Sequence, residues 1–199
     1  MKIPKTIIFI MLFASIFSRA GSNAGYNIVM FGDSITQAGN WPKLLERNDV
    51  FNFGIAGEIT GNMRKNTGSV VMKQPKICFI LGGINDIGYN FQVKQIFENI
   101  RGIALEMRAM GIIPVVQSTI FVVESDMTKS YWNPKVEELN AMLLKFCTNT
   151  NIEYLDLNEF LSSNKQLKSE LSIDGIHLSD EAYSLWAEKI KHLLKKYEI

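Results

Sequence analysis

The stretch NIVMFGDSIT, residues 27–36, decides the fold because an apolar run passes directly into a polar turn. From Asn27 to Phe31 no polar alternation interrupts the run, which is typical of a strand buried on both faces. Gly32 and Asp33 break the pattern, and Ser34 follows where a helix can begin. Two interpretations of Ser34 stay open at this point: a nucleophile at the end of a strand, or a hydroxyl that caps the next helix.

Four further β-like runs occur along the chain, and helical patterns separate or follow them. The runs are Val50–Phe53, Lys76–Leu81, Ile113–Gln117 and Ile152–Leu155. Apolar residues recur at helical spacing from Val93 to Met110, after Asn133-Pro134, and after Ser179, which can cap the last helix. Strands bounded by helices predict an α/β fold with a parallel sheet of about five strands, covered on both faces. In such sheets functional residues collect at the carboxyl ends of the strands, where Ser34 lies.

The composition indicates a single globular domain. The chain has 199 residues, of which 47% are hydrophobic and 21% are charged. A formal net charge of +1 gives no basic surface of the kind that nucleic acid requires, so we expect no nucleic-acid partner. Cys78 and Cys147 lie in apolar patterns, and we expect both to be buried small side chains rather than a disulfide or a metal pair.

The first twenty residues have the pattern of a secretory signal peptide. Lys2 and Lys5 precede an apolar run from Ile7 to Phe17, and Ser18-Arg19-Ala20 offers small residues at the two positions that a signal peptidase reads. We therefore predict a signal over residues 1–20, one folded domain over 21–199, and a secreted or periplasmic protein. The apolar run is short for a membrane span, so we expect no stable membrane insertion of the mature chain. An uncleaved anchor is the alternative.

A serine nucleophile needs a base, and the chain contains two histidines. His192 lies in the last helix among lysines, and neighbouring cations oppose protonation of a catalytic imidazole. His177 lies in the loop before that helix, three residues after Asp174. One turn can bring the Asp174 carboxylate to Nδ1 of the imidazole and leave Nε2 to take the proton from Ser34. The alternative is a turn capped by aspartate that holds a histidine for structural reasons.

An acyl-transfer site also needs hydrogen-bond donors for the developing oxyanion. After the second strand, Gly57 can bring its N–H close because it has no side chain. After the third strand, Asn85 offers an amide NH2 group. Ordinary turn chemistry would explain either loop on its own. We predict no metal site, because no cluster of further ligands accompanies Asp33 and Asp86, which we assign to loop hydrogen bonds and helix-start charge.

Four blocks in a fixed order carry a resemblance to a known family. The blocks are GDS at 32–34, GIAGEIT at 54–60, GGIND at 82–86 and DGIH at 174–177. In these blocks the chain resembles the SGNH hydrolases, also called the GDSL esterase/lipase family. The resemblance extends from about residue 27 into the terminal helix. It implies a three-layer α/β/α flavodoxin-like fold and an enzyme without a cofactor.

The resemblance also implies a role for each block. Ser34 would be the nucleophile, His177 the general base and Asp174 its orienting partner. The backbone N–H groups of Ser34 and Gly57 and the side chain of Asn85 would form the oxyanion hole. Ser34 has no G-x-S-x-G elbow around it, which disfavours the ordinary α/β-hydrolase fold.

The sequence therefore predicts a serine esterase that removes short acyl groups through an acyl-enzyme, with a small-molecule or glycan ester as substrate. An O-acetylated carbohydrate is the substrate we favour. A lysophospholipase or thioesterase acting on longer chains is an alternative, because the apolar segments 120–123 and 127–132 follow the fourth strand. Acyl transfer to a sugar and non-catalytic glycan binding are further alternatives. Trp41, Tyr131 and Trp132 stay open between substrate contact and packing.

Overall fold

The computed structural model describes residues 25–125 and 131–199, so the predicted signal segment 1–20 lies outside the described residues. A parallel sheet of five strands forms the centre of the fold, as predicted. The strands are β1 (Ile28–Gly32), β2 (Val50–Gly54), β3 (Ile77–Ile80), β4 (Ile113–Gln117) and β5 (Glu153–Leu155). Their order across the sheet is β2-β1-β3-β4-β5, the flavodoxin-like order.

Helices cover the sheet on both faces and complete a three-layer α/β/α fold. They are α1 (Ser34–Ala38), α2 (Trp41–Leu45), α3 (Thr60–Val71), α4 (Ile84–Gly88), α5 (Val93–Ala109), α6 (Asn133–Thr150), α7 (Asn158–Leu161) and α8 (Asp180–Lys196). Two short antiparallel strands, β6 (Ser162–Ser163) and β7 (Gln166–Leu167), form a hairpin after α7. The helices α5, α6 and α8 confirm the predicted patterns, and the Ser179 side chain caps α8 as expected.

The strand order fixes where a site can form. From β1 the chain crosses to β2 at one edge of the sheet and then returns to β3 on the other side of β1. The carboxyl ends of β1 and β3 therefore flank the point at which the direction of winding reverses. Ligands of open α/β sheets bind in the crevice at such a point. The loops that follow β1, β2 and β3 all begin at this end of the sheet.

The core lies on both faces of β1 and β3, all of whose residues are buried. Cys78 and Cys147 are buried free thiols, as predicted, and burial raises the pKa of Cys147 to about 12. The thiol groups are therefore protonated and act as small apolar side chains. Across residues 25–125 and 131–199 we find no helix with the length and apolar content needed to cross a bilayer.

Aromatic side chains join the last helix to the helix that carries Ser34. Trp41, Tyr183 and Trp186 pack with ring centroids 4.7 to 6.1 Å apart. Trp41 Nε1 donates to the Thr36 carbonyl at 2.8 Å, and Tyr183 Oη donates to the Ile35 carbonyl at 2.7 Å. The carbonyl groups of a short helix need such donors when they are buried. Trp41 is fully buried in this contact, so its role is packing and not substrate contact.

Candidate active site

Ser34 lies at the point where β1 turns into α1. Asp33 is the N-cap of this helix, because its Oδ1 accepts the Ile35 N–H at 2.9 Å. Ser34 is the first residue of the helix and remains half-buried. The helix cap is therefore supplied by Asp33, and the Ser34 hydroxyl is free for another partner.

That partner is His177, which is 143 residues away in the sequence. Ser34 Oγ and His177 Nε2 are 3.0 Å apart, and His177 Nδ1 is 2.6 Å from Asp174 Oδ2. When Nδ1 carries the proton and donates it to Asp174, Nε2 is left to accept the Ser34 hydroxyl. The fold thus brings together the three side chains that the sequence predicted.

Asp174 is held as a carboxylate although its side chain is 49% exposed. Its Oδ1 accepts the backbone N–H groups of Ile176 at 2.9 Å and His177 at 2.7 Å. Partial burial opposes ionisation of Asp174, but the hydrogen bonds from the His177 backbone and ring outweigh it and lower the pKa of Asp174 to about 2. A charged carboxylate at this place orients the imidazole and stabilises its protonated form.

The loop from residue 172 to residue 179 holds His177 through bonds of its own. Ser172 Oγ donates to the His177 carbonyl at 2.9 Å and accepts the Gly175 N–H at 2.8 Å. Gly175 has a φ of 93°, a backbone conformation that a residue with a side chain rarely adopts. The loop also bonds to the segment after β4, where the Val123 N–H donates to the Gly175 carbonyl at 2.8 Å. These bonds give the base a defined position.

Of the three predicted oxyanion donors, Gly57 lies in the turn after β2 and Asn85 lies on α4, which contacts that turn. Gly57 is in the turn closed by the Glu58 N–H and the Ile55 carbonyl, and its φ of 72° explains the glycine. Asn85 Nδ2 donates to the carbonyl of Glu58 at 2.9 Å, which joins α4 to this turn. An amide NH2 group has two protons, so this bond leaves one for a ligand. The structure therefore brings Asn85 to the residue that follows Gly57.

Asp33 and Asp86 make the loop and cap hydrogen bonds assigned to them from the sequence. Burial raises the pKa of Asp33 to about 6, although hydrogen bonds from the Ile35 and Thr36 backbone act in the opposite direction. Asp86 is almost fully buried and accepts the Thr60 N–H and hydroxyl. No cluster of three or more His, Cys, Asp and Glu side chains suited to a metal ion occurs in the part of the chain that the structure describes.

The remaining sequence candidates lie in other surroundings. His192 is exposed on α8 and is not the base that contacts Ser34. Trp132 packs partly buried against the core beside Gly88, and Tyr131 bonds through its hydroxyl to Asn90. The apolar residues Ile120, Phe121 and Val122 are buried, and residues 127–130 of the other apolar segment lie outside the described residues.

The Ser–His–Asp geometry is the arrangement found in serine hydrolases. The model of the GDSL-like lipase/acylhydrolase family matches residues 30–185. The chain belongs to this family. The resemblance seen in the four sequence blocks is thereby confirmed.

Solved structures of this kind share the fold. A GDSL-like lipase from Bacteroides thetaiotaomicron superposes with a TM-score of 0.78 at 21% identity, covering 89% of this chain and 91% of that one. A lipase/acylhydrolase from Enterococcus faecalis gives 0.69 at 23% identity, with 85% and 95% covered. The acetyl xylan esterase AlAXEase gives 0.71 at 16% identity, with 84% and 98% covered. At these identities the likeness shows the fold alone.

The first curated relatives are longer than this chain. An N-acylneuraminate cytidylyltransferase from Streptococcus agalactiae serotype III is 24% identical over 191 residues, which cover 91% of this chain and 42% of the relative. The chain thus spans about two fifths of that protein. An uncharacterised lipoprotein of Bacillus subtilis, YqeF, is 34% identical over 143 residues, which cover 59% of each chain.

Proposed function

We propose that the protein hydrolyses short-chain carboxylic esters, and that O-acetyl groups on carbohydrate are its substrate class. The observation that carries the reaction is the contact between Ser34 Oγ and His177 Nε2 at 3.0 Å, with Asp174 at 2.6 Å from the other ring nitrogen. This is the geometry of a hydroxyl activated by an adjacent base whose orientation a third group fixes.

The reaction has two halves. Ser34 Oγ attacks the ester carbonyl while His177 Nε2 takes the hydroxyl proton. His177 then gives that proton to the departing alcohol, and an acyl group remains on Ser34. Water, deprotonated by the same imidazole, attacks this acyl-enzyme and releases the acid. Throughout, the Asp174 carboxylate stabilises the imidazolium that forms.

The oxyanion of each tetrahedral intermediate needs donors that are already in place. The backbone N–H groups of Ser34 and Gly57 and the second amide proton of Asn85 are the donors we assign. Ser34 supplies its N–H from the first turn of α1, where backbone N–H groups have no partner within the helix. Removal of one such donor from a comparable site lowers the rate by about 10²–10³.

The preference for short acyl groups rests on packing near the site. The apolar segment after β4 was the sequence candidate for a groove that binds long chains. Ile120, Phe121 and Val122 are 2%, 8% and 1% exposed, so their side chains belong to the core, and the fourth residue, Val123, is half-buried and packs against that core. A core side chain does not line a groove for an acyl chain, and a small acyl group needs no such groove.

The carbohydrate assignment rests on relatives and on one exposed ring. The acetyl xylan esterase shares the fold, and the longer relatives are named for an enzyme of a sugar, N-acylneuraminate. In this chain Tyr89 follows Asn85 by one helical turn and is 69% exposed. An exposed ring beside a wet site can stack on an apolar sugar face while its hydroxyl stays in water.

A second candidate is hydrolysis of longer acyl chains. Ile173, directly before Asp174, is 73% exposed and offers apolar surface next to the base. Such a residue can contact a chain that extends out of the site. One exposed side chain is a small contact area, so we place this candidate second.

The test is turnover of p-nitrophenyl acetate, butyrate and octanoate by the purified protein, followed by acetate release from acetylated xylan oligosaccharides. We expect the highest kcat/KM on acetate and loss of turnover in Ser34→Ala. Ser184→Ala, which changes an exposed serine on α8, is the matched control and should retain turnover. Activity that survives Ser34→Ala would exclude the serine mechanism, and a rate that rises towards octanoate would favour the second candidate.

A further inference from the structure

Two consecutive residues of α4 form hydrogen bonds to the segment that begins with Gly57 and ends at Thr60. Asn85 Nδ2 donates to the Glu58 carbonyl at 2.9 Å. The next residue, Asp86, accepts the backbone N–H of Thr60 at 2.9 Å through Oδ2 and the Thr60 hydroxyl at 2.6 Å through Oδ1. The bonded residues, Glu58 and Thr60, lie one and three positions after Gly57, so α4 holds the segment in which an oxyanion donor is to be placed.

The direction of each hydrogen bond in this contact is determined. Asn99 on α5 donates its amide Nδ2 to Thr60 Oγ1 at 3.1 Å. Because an NH2 group can only donate, the Thr60 hydroxyl accepts there and gives its own proton to Asp86. Two hydrogen bonds thus run in series from Asn99 on α5 through the Thr60 hydroxyl to the Asp86 carboxylate on α4, and the Thr60 N–H donates to the same carboxylate.

Burial makes this contact rigid. Thr60 is 0% exposed and Asp86 is 2% exposed, so water does not compete for their hydrogen bonds. The helix α3 begins at Thr60 without a side-chain cap from its own N-cap residue, Ile59. Asp86 supplies that cap from another element, and a carboxylate at a helix N-terminus also interacts favourably with the helix dipole. The start of α3 and the helix α4 therefore move as one piece.

We infer that Asp86 and Thr60 are positioning residues that hold the Asn85 amide and the Gly57 N–H at a fixed separation for the oxyanion. The inference rests on the proposed esterase function. Neither residue touches the substrate. Oxyanion donors act because they are preorganised, and a small displacement of a group that must meet the transition state lowers kcat more than it changes KM.

The test compares two threonine-to-valine changes in the same helix. Thr60→Val removes the hydroxyl that bonds to Asp86, whereas Thr67→Val removes an equally buried hydroxyl that bonds to carbonyl groups within α3. On p-nitrophenyl acetate we expect Thr60→Val to lower kcat about tenfold and to change KM less than twofold. Thr67→Val should stay within twofold of wild type, and Thr60→Ser, which keeps the hydroxyl, should restore most of kcat.

A double-mutant cycle shows where the effect acts. In an Asn85→Ala background one of the two donors is already gone, so Thr60→Val should lower kcat threefold or less. A tenfold loss in both backgrounds would overturn the inference, because the threonine would then act through something other than Asn85. Wild-type kcat in Thr60→Val would overturn it as well.

Two further measurements separate a failure of this inference from a folding defect and from a failure of the proposed esterase function. If circular dichroism shows that Thr60→Val does not fold, Asn99→Ala tests the same hydroxyl from α5. We expect Asn99→Ala to lower kcat about threefold. An unchanged kcat would contradict the inference. Loss of turnover in Ser34→Ala with normal turnover in Thr60→Val removes this inference and leaves the esterase function standing. Turnover retained in Ser34→Ala removes both.

Discussion

The loop that carries His177 and the loop that carries Gly57 flank one site, yet hydrogen bonds hold them in different ways. Around His177 the bonds of Ser172 and Asp174 join residues two to five positions apart. Around Gly57 the bonds from α4 join residues 26 and 27 positions apart. The base side of the site is thus built by local sequence, whereas the donor side is built by tertiary structure.

Exposure follows the same division. The Asp174 side chain is 49% exposed, whereas Asp86 is 2% exposed. A partly exposed hydrogen bond contributes little to the stability of the fold, and a buried one costs more when a partner is removed. We therefore expect changes on the base side to alter activity with little loss of stability, and changes on the donor side to alter both.

The largest expected effect breaks the base side. His177→Ala removes the group that takes the proton from Ser34, and we expect kcat to fall by about 10⁴ or more. Because the side chain is partly exposed, the midpoint of urea unfolding should change little. The assay is turnover of p-nitrophenyl acetate, with His192→Ala as the control at the exposed histidine of α8. A comparable loss in His192→Ala would contradict the assignment of the base.

A smaller effect is the pH dependence of stability, to which the carboxyl groups of Asp33 and Asp174 contribute with opposite sign. Asp33 is buried at the cap of α1 with a pKa of about 6, above the ordinary value of 3.8, whereas the pKa of Asp174 is lowered to about 2. Asp33 therefore holds its proton longer in the folded protein, and its contribution to stability is present near pH 4 and lost as the pH rises through 6. Asp174 has the opposite sign, and its contribution is lost as the pH falls below 4.

Asp33→Asn tests this sign, since asparagine can still accept the Ile35 N–H but does not titrate. The free energy of unfolding of wild type, measured relative to Asp33→Asn, should fall by about 2 kcal/mol between pH 4 and pH 7. Urea titrations at both pH values measure this difference. A difference that is constant with pH would mean that Asp33 is not a buried acid with a raised pKa.

The smallest effect sharpens the comparison within the base loop. Ser172→Ala removes the hydroxyl that bonds to the His177 carbonyl and the Gly175 N–H. We expect kcat to fall about tenfold through a less defined imidazole position, and stability to fall by about 1 kcal/mol. Turnover and urea unfolding are measured beside Ser184→Ala. If kcat stays within twofold of wild type, the loop does not need Ser172 to place the base.

Spacing in the sequence predicts only the contacts of the site that are local, whereas the contact of Ser34 with His177 was expected from the four family blocks. The spacing of Asp174 and His177 by three residues already brings the carboxylate to the ring, and the structure has this contact at 2.6 Å. No spacing predicts that Asp86 meets Thr60, because the two belong to different elements and meet only when β1 and β3 pair. The sequence predicted that Asp86 makes loop hydrogen bonds, but only the folded structure shows that its partner is Thr60.

The same limit applies to the secondary structure. The five strands were predictable because each is a β-like run in the sequence. No predicted bound differs from the structure by more than one residue. The helix α3 was not predicted, because two of its four buried residues, Thr60 and Thr67, are polar in sequence and become inward-facing through hydrogen bonds. The hairpin of β6 and β7 was not predicted either. Its turn places Asn164 and Lys165 at positive φ, where lysine gives no turn signal.

The 143 residues between Ser34 and His177 have a consequence for the synthesis of the protein. A ribosome makes the nucleophile early and its base late, and the Tyr183 bond to the Ile35 carbonyl forms later still. Until His177 has been added, a growing chain holds a serine hydroxyl without a base, and such a hydroxyl is a weak nucleophile. We therefore expect each nascent chain to be inert towards esters until the loop that carries His177 has been made and has reached Ser34.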